Sequence, residues 1–539
     1  MTSQTTLDKA PREPGNGPVP AAAKGLRGHP WLTLFAVAIG VMMVALDGTI
    51  VAIANPAIKE DLDASLADVQ WITNGYLLAL AVALITAGKL GDRFGHRQTF
   101  LIGIAGFAVS SAAIGLSSEI GLVVLFRVLQ GLFGALLMPA ALGLLRATFP
   151  AEKLNMAIGI WGMVIGASTA GGPIVGGLLV EHVSWQSVFF INVPVGIIAL
   201  VFGLVILKDH RAANAPRSFD ILGIALLSGA MFSLIWGIIK AGESWGWGGA
   251  WTWFFLGLAA ALFLAFGLWQ TRVREPLVPL AMFRSIPLTA GTILMVLMAF
   301  AFMGGLFFVT FFLQGVHGLS PVDSGLHLLP LTAMMIVSSP VAGVLITKFG
   351  PRVPLVGGMV CTATAMFGMT TLTESTGTLA MSLWFALLGC GLAPVMVGAT
   401  EVIVGNAPLE LSGVAGGLQQ AAMQVGGALG TAVLGAVMSS KVSSDFAGNW
   451  TAAGLPGAPD PKLEKAAEFG MVPVDELSKA PGMTPDVIGA IGKVIHDTFM
   501  SGMGLAFTVA GCVAVVAALV ATLTKRGANA DAGAGVGHI

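Results

Sequence analysis

The sequence has few charged residues and few of the residues that soluble enzymes and secreted domains use. Only 10% of its 539 residues are charged, it has a single tyrosine, Tyr76, and it has three cysteines. No ordinary soluble domain has this composition. Cys361, Cys390 and Cys512 all lie in apolar stretches, where a thiol behaves as a small hydrophobic group, so disulfide bonds are not expected.

Motifs for several kinds of chemistry are also absent. The sequence has no G-x-x-x-x-G-K-[ST] loop, so a nucleotide is not expected to supply energy. It has no H-E-x-x-H motif, and its single G-x-S-x-G match, at residues 242–246, lies between two long apolar runs without the strand that precedes a catalytic serine, so an enzyme is not expected. No cofactor, metal or nucleic-acid partner is expected. The first thirty residues lack the pattern of a secretory signal and indicate a disordered tail.

Long apolar runs are the dominant feature of what remains. Hydrophobic residues make up 55% of the chain, and its mean hydropathy is +0.86. Each run is about 18 to 27 residues long, which is enough for a helix across a bilayer. The sequence therefore predicts an all-α integral membrane protein with 14 transmembrane helices. The predicted spans are residues 31–54, 71–88, 99–118, 121–146, 157–180, 187–206, 220–240, 251–270, 287–314, 322–346, 353–373, 378–404, 411–438 and 500–524.

Positive charge is divided unequally between the two sides of these spans. Nineteen of the 27 Lys and Arg residues fall in the tails and in the short loops that follow even-numbered spans, whereas the short loops on the other side hold Lys59 and Lys240. Short cytoplasmic loops carry the excess of positive charge. The sequence therefore predicts a cell-membrane protein with both termini in the cytoplasm. Residues 439–499 then form an extracytoplasmic loop, which we interpret as a solvated linker with short amphipathic helices, near residues 462–469 and 485–498, rather than as a gate.

Two charged residues lie inside the predicted spans. Asp47 is the only charge from residue 31 to residue 58, and Arg127 is the only one from residue 120 to residue 145. A charge at the centre of a transmembrane helix costs roughly 2.5 to 3.5 kcal/mol on insertion scales. Both should lie about 9 to 10 Å below the same membrane surface. We therefore expect them to pair or to share a water-filled cavity, and such pairs often lie on proton or substrate paths. A static ion pair that only locks two helices is the alternative.

The loop after the second span contains an ordered set of glycines and charges. Its candidate gate residues are Gly88, Asp92, Arg93, Gly95 and Arg97. Glycines let helix ends approach closely, and the charges can bridge neighbouring helix ends in one conformation and release them in another. The segment resembles the G-x-L-x-D-R-x-G-R-[KR] motif of the major facilitator superfamily, with His96 in place of one basic residue. A weaker copy at residues 343–352 indicates a second repeat.

Further segments narrow the resemblance to the fourteen-helix drug:proton antiporters of that superfamily. Residues 46–51 resemble the L-D-x-T-[IV]-V motif of the first helix, although Ala52 stands where that family usually has Asn. Residues 127–131 resemble the R-x-x-Q-G element associated with proton handling. Residues 185–196 resemble the start of the sixth helix, with Gln186 in place of the usual Arg.

The fifth span is rich in glycine and resembles the antiporter motif of the same subfamily. Its candidate hinge residues are Gly166, Gly172, Pro173, Gly176 and Gly177. Glycine lets helix backbones approach closely, and proline removes a hydrogen bond and bends a helix. Tight packing without any hinge function is the alternative, and the sequence leaves it open.

The resemblance implies two six-helix bundles with two extra helices between them. The implied order is a cytoplasmic tail at 1–30, an N-terminal bundle at 31–206, a linker with two transmembrane helices at 207–286, a C-terminal bundle at 287–524 that includes loop 439–499, and a cytoplasmic tail at 525–539.

The resemblance also implies a proton-coupled antiporter that exports lipophilic drugs or antibiotics by alternating access. Asp47 would exchange the proton beside Arg127. Possible cavity residues are Gln130, Gln314, Gln420, Gln424 and Glu401. The expected partners are a small lipophilic substrate, protons and the lipid bilayer, and the chain is expected to be a monomer. A proton-coupled importer, or a transporter of lipids or metabolites with the same fold, is the alternative.

Overall fold

A computed structural model of the protein describes residues 26–64, 66–208, 220–241, 245–455, 460–478 and 483–525. Residues 1–25 and 526–539, which make up most of the tails expected at 1–30 and 525–539, lie outside the described residues. The described residues form helices and no β-strand. Among the described residues, fourteen helical segments are long and apolar enough to span a membrane, in agreement with the predicted number.

The helices are numbered here in chain order. They are α1 (Pro30–Asp61), α2 (Leu66–Phe94), α3 (His96–Gly115), α4 (Ile120–Thr148), α5 (Ala151–His182), α6 (Ser187–Phe190), α7 (Asn192–Ile206), α8 (Ile221–Lys240), α9 (Ala250–Gln270), α10 (Ile286–Phe311), α11 (Pro321–His327), α12 (Leu329–Phe349), α13 (Arg352–Met369), α14 (Thr378–Gly405), α15 (Ser412–Ala452), α16 (Pro461–Ala467), α17 (Val474–Leu477) and α18 (Pro485–Ala521). A π-helical segment, Phe312–Val316, extends α10.

Several helices are longer than the hydrophobic runs that predicted them. α1 ends at Asp61 instead of residue 54, α15 ends at Ala452 instead of residue 438, and α18 begins at Pro485 instead of residue 500. The predicted limits follow hydrophobicity, but backbone hydrogen bonding continues wherever polar residues also tolerate a helix. Much of the predicted loop at 439–499 is therefore the ends of α15 and α18, with α16 and α17 between them.

Packing divides the spans into two six-helix bundles. In the first, α1 packs against α5 and α7, while α4 packs against α2 and α3. In the second, α10 packs against α15, α12 against α14, and α13 against α14 and α18. The apolar stripe of each helix is buried against its neighbours, where small residues allow close contact.

The inserted helices α8 and α9 pack on each other and lie outside both bundles. α8 contacts α2 of the first bundle and α15 of the second. The rings of Trp71 on α2 and Trp236 on α8 stack with their centroids 4.9 Å apart. The insert therefore covers the seam where α2 meets α15.

The two bundles meet through α2 and α15, α4 and α15, and α5 and α12. Close backbone contacts lie toward one end of the molecule, where Gly343 of α12 lies against the backbone of Asn155. We call this end the basic face. Its positive residues include Lys89, Arg93, Arg97, Arg146 and Lys348.

Candidate functional site

Asp47 of α1 and Arg127 of α4 form an ion pair inside the first bundle. Nη1 of Arg127 lies 2.6 Å from Oδ2 of Asp47. The two residues are 0% and 1% exposed, respectively. The pair is therefore enclosed by protein and does not line an open cavity in this conformation. A pair in such surroundings is held by strong electrostatic attraction, and removing one partner leaves an uncompensated charge.

Amide side chains complete the hydrogen bonding of the Asp47 carboxylate. Oδ1 accepts from Nε2 of Gln130 at 3.1 Å and from Nδ2 of Asn192 at 3.1 Å. Oε1 of Gln130 accepts from Nη1 of Arg127 at 2.6 Å. The hydroxyl of Ser111 accepts from both amides and donates to the carbonyl of Phe189. One buried polar network thus joins side chains of α1, α3, α4 and α7 with a backbone carbonyl of the short α6.

α2 holds the other side of the Arg127 guanidinium. Nε of Arg127 donates to the backbone carbonyl of Ile72 at 3.1 Å, and the ring centroid of Tyr76 lies 4.1 Å from Cζ. Ile72 and Tyr76 are four residues apart, so they occupy the same face of a helix. This aromatic contact is a cation–π interaction between two buried side chains, and burial strengthens such contacts.

Sequence reasoning identified the two charges but only part of their surroundings. It placed Gln130 at a possible cavity, whereas the structure places it in the ion-pair network, fully buried. It did not single out Ser111 or Asn192. Polar residues inside apolar spans were a usable signal, because such groups need a hydrogen-bond partner in a membrane.

The predicted gate residue Asp92 joins α2 to the start of α15. Its carboxylate accepts from the backbone N–H of Gly413 at 2.8 Å and of Val414 at 3.0 Å. Both N–H groups belong to the first turn of α15 and have no acceptor within that helix, so a negative charge is favoured beside them. Nε2 of His96 lies 3.3 Å from both Asp92 Oδ1 and the hydroxyl of Ser412. Asp92 thus links the two bundles at the basic face.

The other gate residues lie around this link. Gly88 packs directly against the backbone of Gly413. Gly95 separates α2 from α3 and has a φ of 98°, which a residue with a side chain rarely adopts. Arg97 donates to the carbonyl of Leu204 at 3.1 Å, and the guanidinium of Arg93 lies over the ring of Phe94. Asp92 therefore makes a charged contact with the start of α15.

Arg146 makes a second link across the basic face that the sequence did not reveal. From α4 it donates to the carbonyls of Ala407 at 2.6 Å and Pro408 at 3.5 Å, just beyond α14. Sequence reasoning counted Arg146 only as a loop charge. Its partners are backbone atoms, which leave no mark in the sequence.

The predicted hinge glycines divide into two groups. A side chain at Gly172 would overlap Thr49, and one at Gly176 would crowd Ile50. Thr49 also donates to the carbonyl of Thr169 of α5 at 3.1 Å. Gly172 and Gly176 thus hold α5 against α1 immediately after Asp47.

Gly166 and Gly177 do not take part in that contact. Gly166 has open space around the position of a side chain, and Gly177 comes only within 3.8 Å of Val322. The side chain of Pro173 lies outside the described residues.

The other possible cavity residues are dispersed. Gln420 is buried in α15, and Gln424 lies half-buried one turn further along the helix. Gln314 is half-buried in the π-helical segment after α10. Glu401 is buried near the end of α14. Within the described part of the chain, no three or more His, Cys, Asp or Glu residues form a group that could hold a metal ion.

Comparison with known proteins agrees with the fold. The family model described as Major Facilitator Superfamily matches residues 37–431. The tetracenomycin C resistance and export protein of Streptomyces glaucescens is 66% identical over 507 residues, which cover 94% of this chain and 93% of that protein. The multidrug efflux pump LfrA of Mycolicibacterium smegmatis is 31% identical, over 92% of this chain and 96% of that protein.

A solved structure shows the same fold at low sequence identity. The human organic anion transporter MFSD10 matches with a TM-score of 0.59 over 91% of this chain and 99% of that chain, at 11% identity.

Proposed function

Because this chain belongs to the major facilitator superfamily, we propose that it is a proton-coupled antiporter that exports lipophilic antibiotics across the cell membrane. It is a multi-pass membrane transporter of small molecules and not an enzyme. Relatives that are named for antibiotic resistance, export and multidrug efflux support the direction and the substrate class.

The basic face is the cytoplasmic face in this proposal, with both termini on that side and the chain acting as a monomer. The positive-inside rule supports this orientation. The contacts of Asp92 with α15 and of Arg146 with Ala407 and Pro408 then close the cytoplasmic side. This conformation faces away from the cytoplasm.

The enclosed ion pair of Asp47 and Arg127 carries the proposal of proton coupling. A proton that binds the Asp47 carboxylate removes its negative charge and leaves the buried guanidinium of Arg127 without an ionic partner. Breaking a buried pair costs about 3 to 5 kcal/mol. A membrane potential supplies about 2.3 kcal/mol per charge per 100 mV, and each unit of pH difference adds about 1.4 kcal/mol. The cost of breaking the pair and the free energy that an entering proton supplies are of similar size, so proton entry can drive the rearrangement of this site.

The contacts of α1 provide a route from the ion pair to the rest of the bundle. Thr49 and Ile50 lie two and three residues after Asp47 and pack against Gly172 and Gly176 of α5. α5 in turn packs against α12 of the second bundle. A change at Asp47 that shifts α1 therefore reaches the interface whose opening and closing is alternating access.

Everted membrane vesicles test this function directly. Respiration acidifies their lumen, and addition of tetracenomycin C should dissipate the pH gradient when the wild-type protein is present. Asp47→Asn should abolish this response, because the amide cannot release a proton at physiological pH. Asp63→Asn is the matched control. It makes the same substitution just after α1, at an exposed position with a φ of 45° that Asn also tolerates, and it should behave as wild type.

Two results would overturn the proposal. In the first, the wild-type protein exports the antibiotic while the pH gradient stays unchanged. In the second, Asp47→Asn retains full proton-coupled export. Equal amounts of folded protein in the membranes, measured by fluorescence-detected size exclusion, are the condition for the comparison.

A further inference from the structure

A cavity of about 960 Å³ lies where the insert meets the seam between the two bundles. Its walls come from α2, α8, α10 and α15 and from the segment after α16. It lies toward the end of the molecule opposite the basic face. None of the five residues that the sequence suggested for a cavity is among its lining residues. Its volume is in the upper part of the range that holds drug-sized ligands.

The lining combines flat aromatic surfaces with a few polar groups. Trp247, Phe307, Phe308 and Phe469 supply the aromatic surface. The ring of Phe469 also lies 5.0 Å from that of Phe311, so the segment after α16 is held against α10. Aromatic side chains favour stacked or edge-to-face contacts with other rings. This part of the cavity therefore suits a planar aromatic molecule.

The polar lining suits hydroxyl groups. Asn74, Thr431, Ser439 and Ser440 bring amide and hydroxyl groups to the wall, and Glu468 is the only charged residue among the described lining residues. The hydroxyl of Ser439 donates to Oε1 of Glu468 at 2.5 Å. The other lone pairs of the Glu468 carboxylate can accept from a phenolic O–H. A few polar groups on an apolar wall orient a ligand without requiring it to be charged.

α2 separates this cavity from the ion pair. Asn74 and Leu77 line the cavity, whereas Ile72 and Tyr76, on another face of the same helix, contact Arg127. The stacked rings of Trp71 and Trp236 join this part of α2 to the insert. A ligand that displaces α2 therefore also changes the position of two groups that hold the guanidinium.

We propose that this cavity is a binding site for planar aromatic molecules that carry hydroxyl groups, and that α2 transmits its occupancy to the pair of Asp47 and Arg127. The inference rests on the proposed export function and names a substrate class and a site for it. The insert acts as a wall of this site through Ile238, Ile239 and Trp247.

A bulky substitution tests the site in the purified full-length protein. A smaller cavity of about 420 Å³ shares Trp247, Ala436 and Ser440 with the larger one, so a tryptophan at position 436 would obstruct part of both. Ala436→Trp should weaken binding of tetracenomycin C, and of the hydroxylated anthraquinone alizarin, at least about tenfold, a change of about 1.4 kcal/mol. Ala447→Trp makes the same substitution at an exposed position of α15 and should leave both affinities unchanged. Ligand fluorescence measures the affinities.

Cysteine protection provides a second measurement that does not depend on filling the cavity. Cys361, Cys390 and Cys512 are first replaced by alanine. A cysteine introduced by Thr431→Cys should react with a maleimide several-fold more slowly when either ligand is bound. A cysteine introduced by Ala447→Cys should react at the same rate with and without ligand.

The outcomes separate this inference from the proposed function. If both ligands bind Ala436→Trp as tightly as wild type and do not protect Thr431→Cys, the site is refuted, even if wild type exports and Asp47→Asn does not. If Thr431→Cys is protected and Ala436→Trp weakens binding, the site is supported, even if the pH gradient shows no proton coupling. Near-ultraviolet circular dichroism tests the transmission through α2. Ligand binding should change the spectrum of the wild-type protein in a way that the Tyr76→Phe variant does not show. An identical spectral change in both proteins would refute the transmission through α2.

Discussion

Gly88 of α2 and Gly413 of α15 hold the two bundles in backbone contact at the basic face. A Cβ atom on either glycine would overlap the carbonyl group of the other. The same contact brings the N–H groups of Gly413 and Val414 to the carboxylate of Asp92. Closure of this face therefore depends on glycine at positions 88 and 413 as well as on the negative charge of Asp92.

Gly88→Ala should favour the conformation in which the basic face is open. The added methyl group has only backbone atoms to displace, and overpacking of this kind costs about 1 to 3 kcal/mol. Ser412 is buried in the wild type. We expect a cysteine introduced by Ser412→Cys to react with a maleimide at least about tenfold faster when Gly88→Ala is also present.

Gly357→Ala is the control for that measurement. Gly357 also lies inside a helix, but no heavy atom approaches the position of its missing side chain. Its substitution should leave the labelling rate unchanged. Equal labelling rates in the Gly88→Ala and wild-type proteins would show that the contact does not limit opening.

The Asp47 and Arg127 pair should show strong coupling in a double-mutant cycle. Asp47→Leu or Arg127→Leu alone should lower the free energy of unfolding by about 3 to 5 kcal/mol, because each leaves one buried charge unpaired. The double variant should lose much less than the sum of the two. Denaturant titration in detergent measures all four proteins, and additive losses would mean that the two charges do not stabilise each other.

Gly172→Ala and Gly166→Ala should have opposite effects, although the sequence assigns both to one hinge motif. The methyl group at Gly172 overlaps Thr49, so it should separate α5 from α1 and reduce export several-fold. The methyl group at Gly166 meets open space, and alanine is a better helix former by about 1 kcal/mol. Export assays and melting temperatures should therefore show a loss at Gly172 and no loss at Gly166.

A loss of export in Gly166→Ala equal to that in Gly172→Ala would contradict packing against α1 as the cause. It would instead support a hinge that needs glycine along its whole length.

His317 should make the protein less stable in acid. Burial, together with nearby His327 and His496, lowers the pKa of His317 below its ordinary value, against the opposite influence of Glu374 and Thr373. As the pH falls below about 6.5, the unfolded chain binds a proton that the folded protein does not, so stability decreases. His317→Gln should therefore lose less stability than wild type between about pH 7.5 and 5.5.

Melting temperatures across that pH range measure the effect. His182→Gln, at the exposed end of α5, is the control and should follow the wild-type pH dependence. A wild-type dependence in His317→Gln would mean that His317 does not contribute.

The number of spans and the presence of a buried acid and base could be predicted from the sequence because a bilayer imposes simple requirements. Twenty apolar residues form a spanning helix, and a charge within them stands out. The ends of α1, α15 and α18 could not be placed in the same way, since a helix continues into water for as long as its residues tolerate it. The predicted depth of Asp47 assumed an earlier end of α1, yet the two charges do meet.

The surroundings of the ion pair depended on which helix faces lie together. Asn192 and Ser111 are far from Asp47 in sequence, and Ile72 contributes a backbone carbonyl that any residue would supply. Arg146 likewise contacts only carbonyl groups. Such contacts depend on the packing of several helices, and no local pattern encodes them.

The sequence by itself determined that this protein crosses the membrane many times, that Asp47 and Arg127 are the charges inside its first bundle, and that Gly88 to Arg97 form a junction between helices. Hydrophobicity and the cost of a buried charge are properties of single segments, so the amino-acid sequence is enough to predict both. Tertiary structure alone decided that the pair is enclosed, that Asp92 reaches α15, and that α2 separates a cavity from Arg127. Those relations join helices that are distant in sequence, and close packing of their side chains sets them.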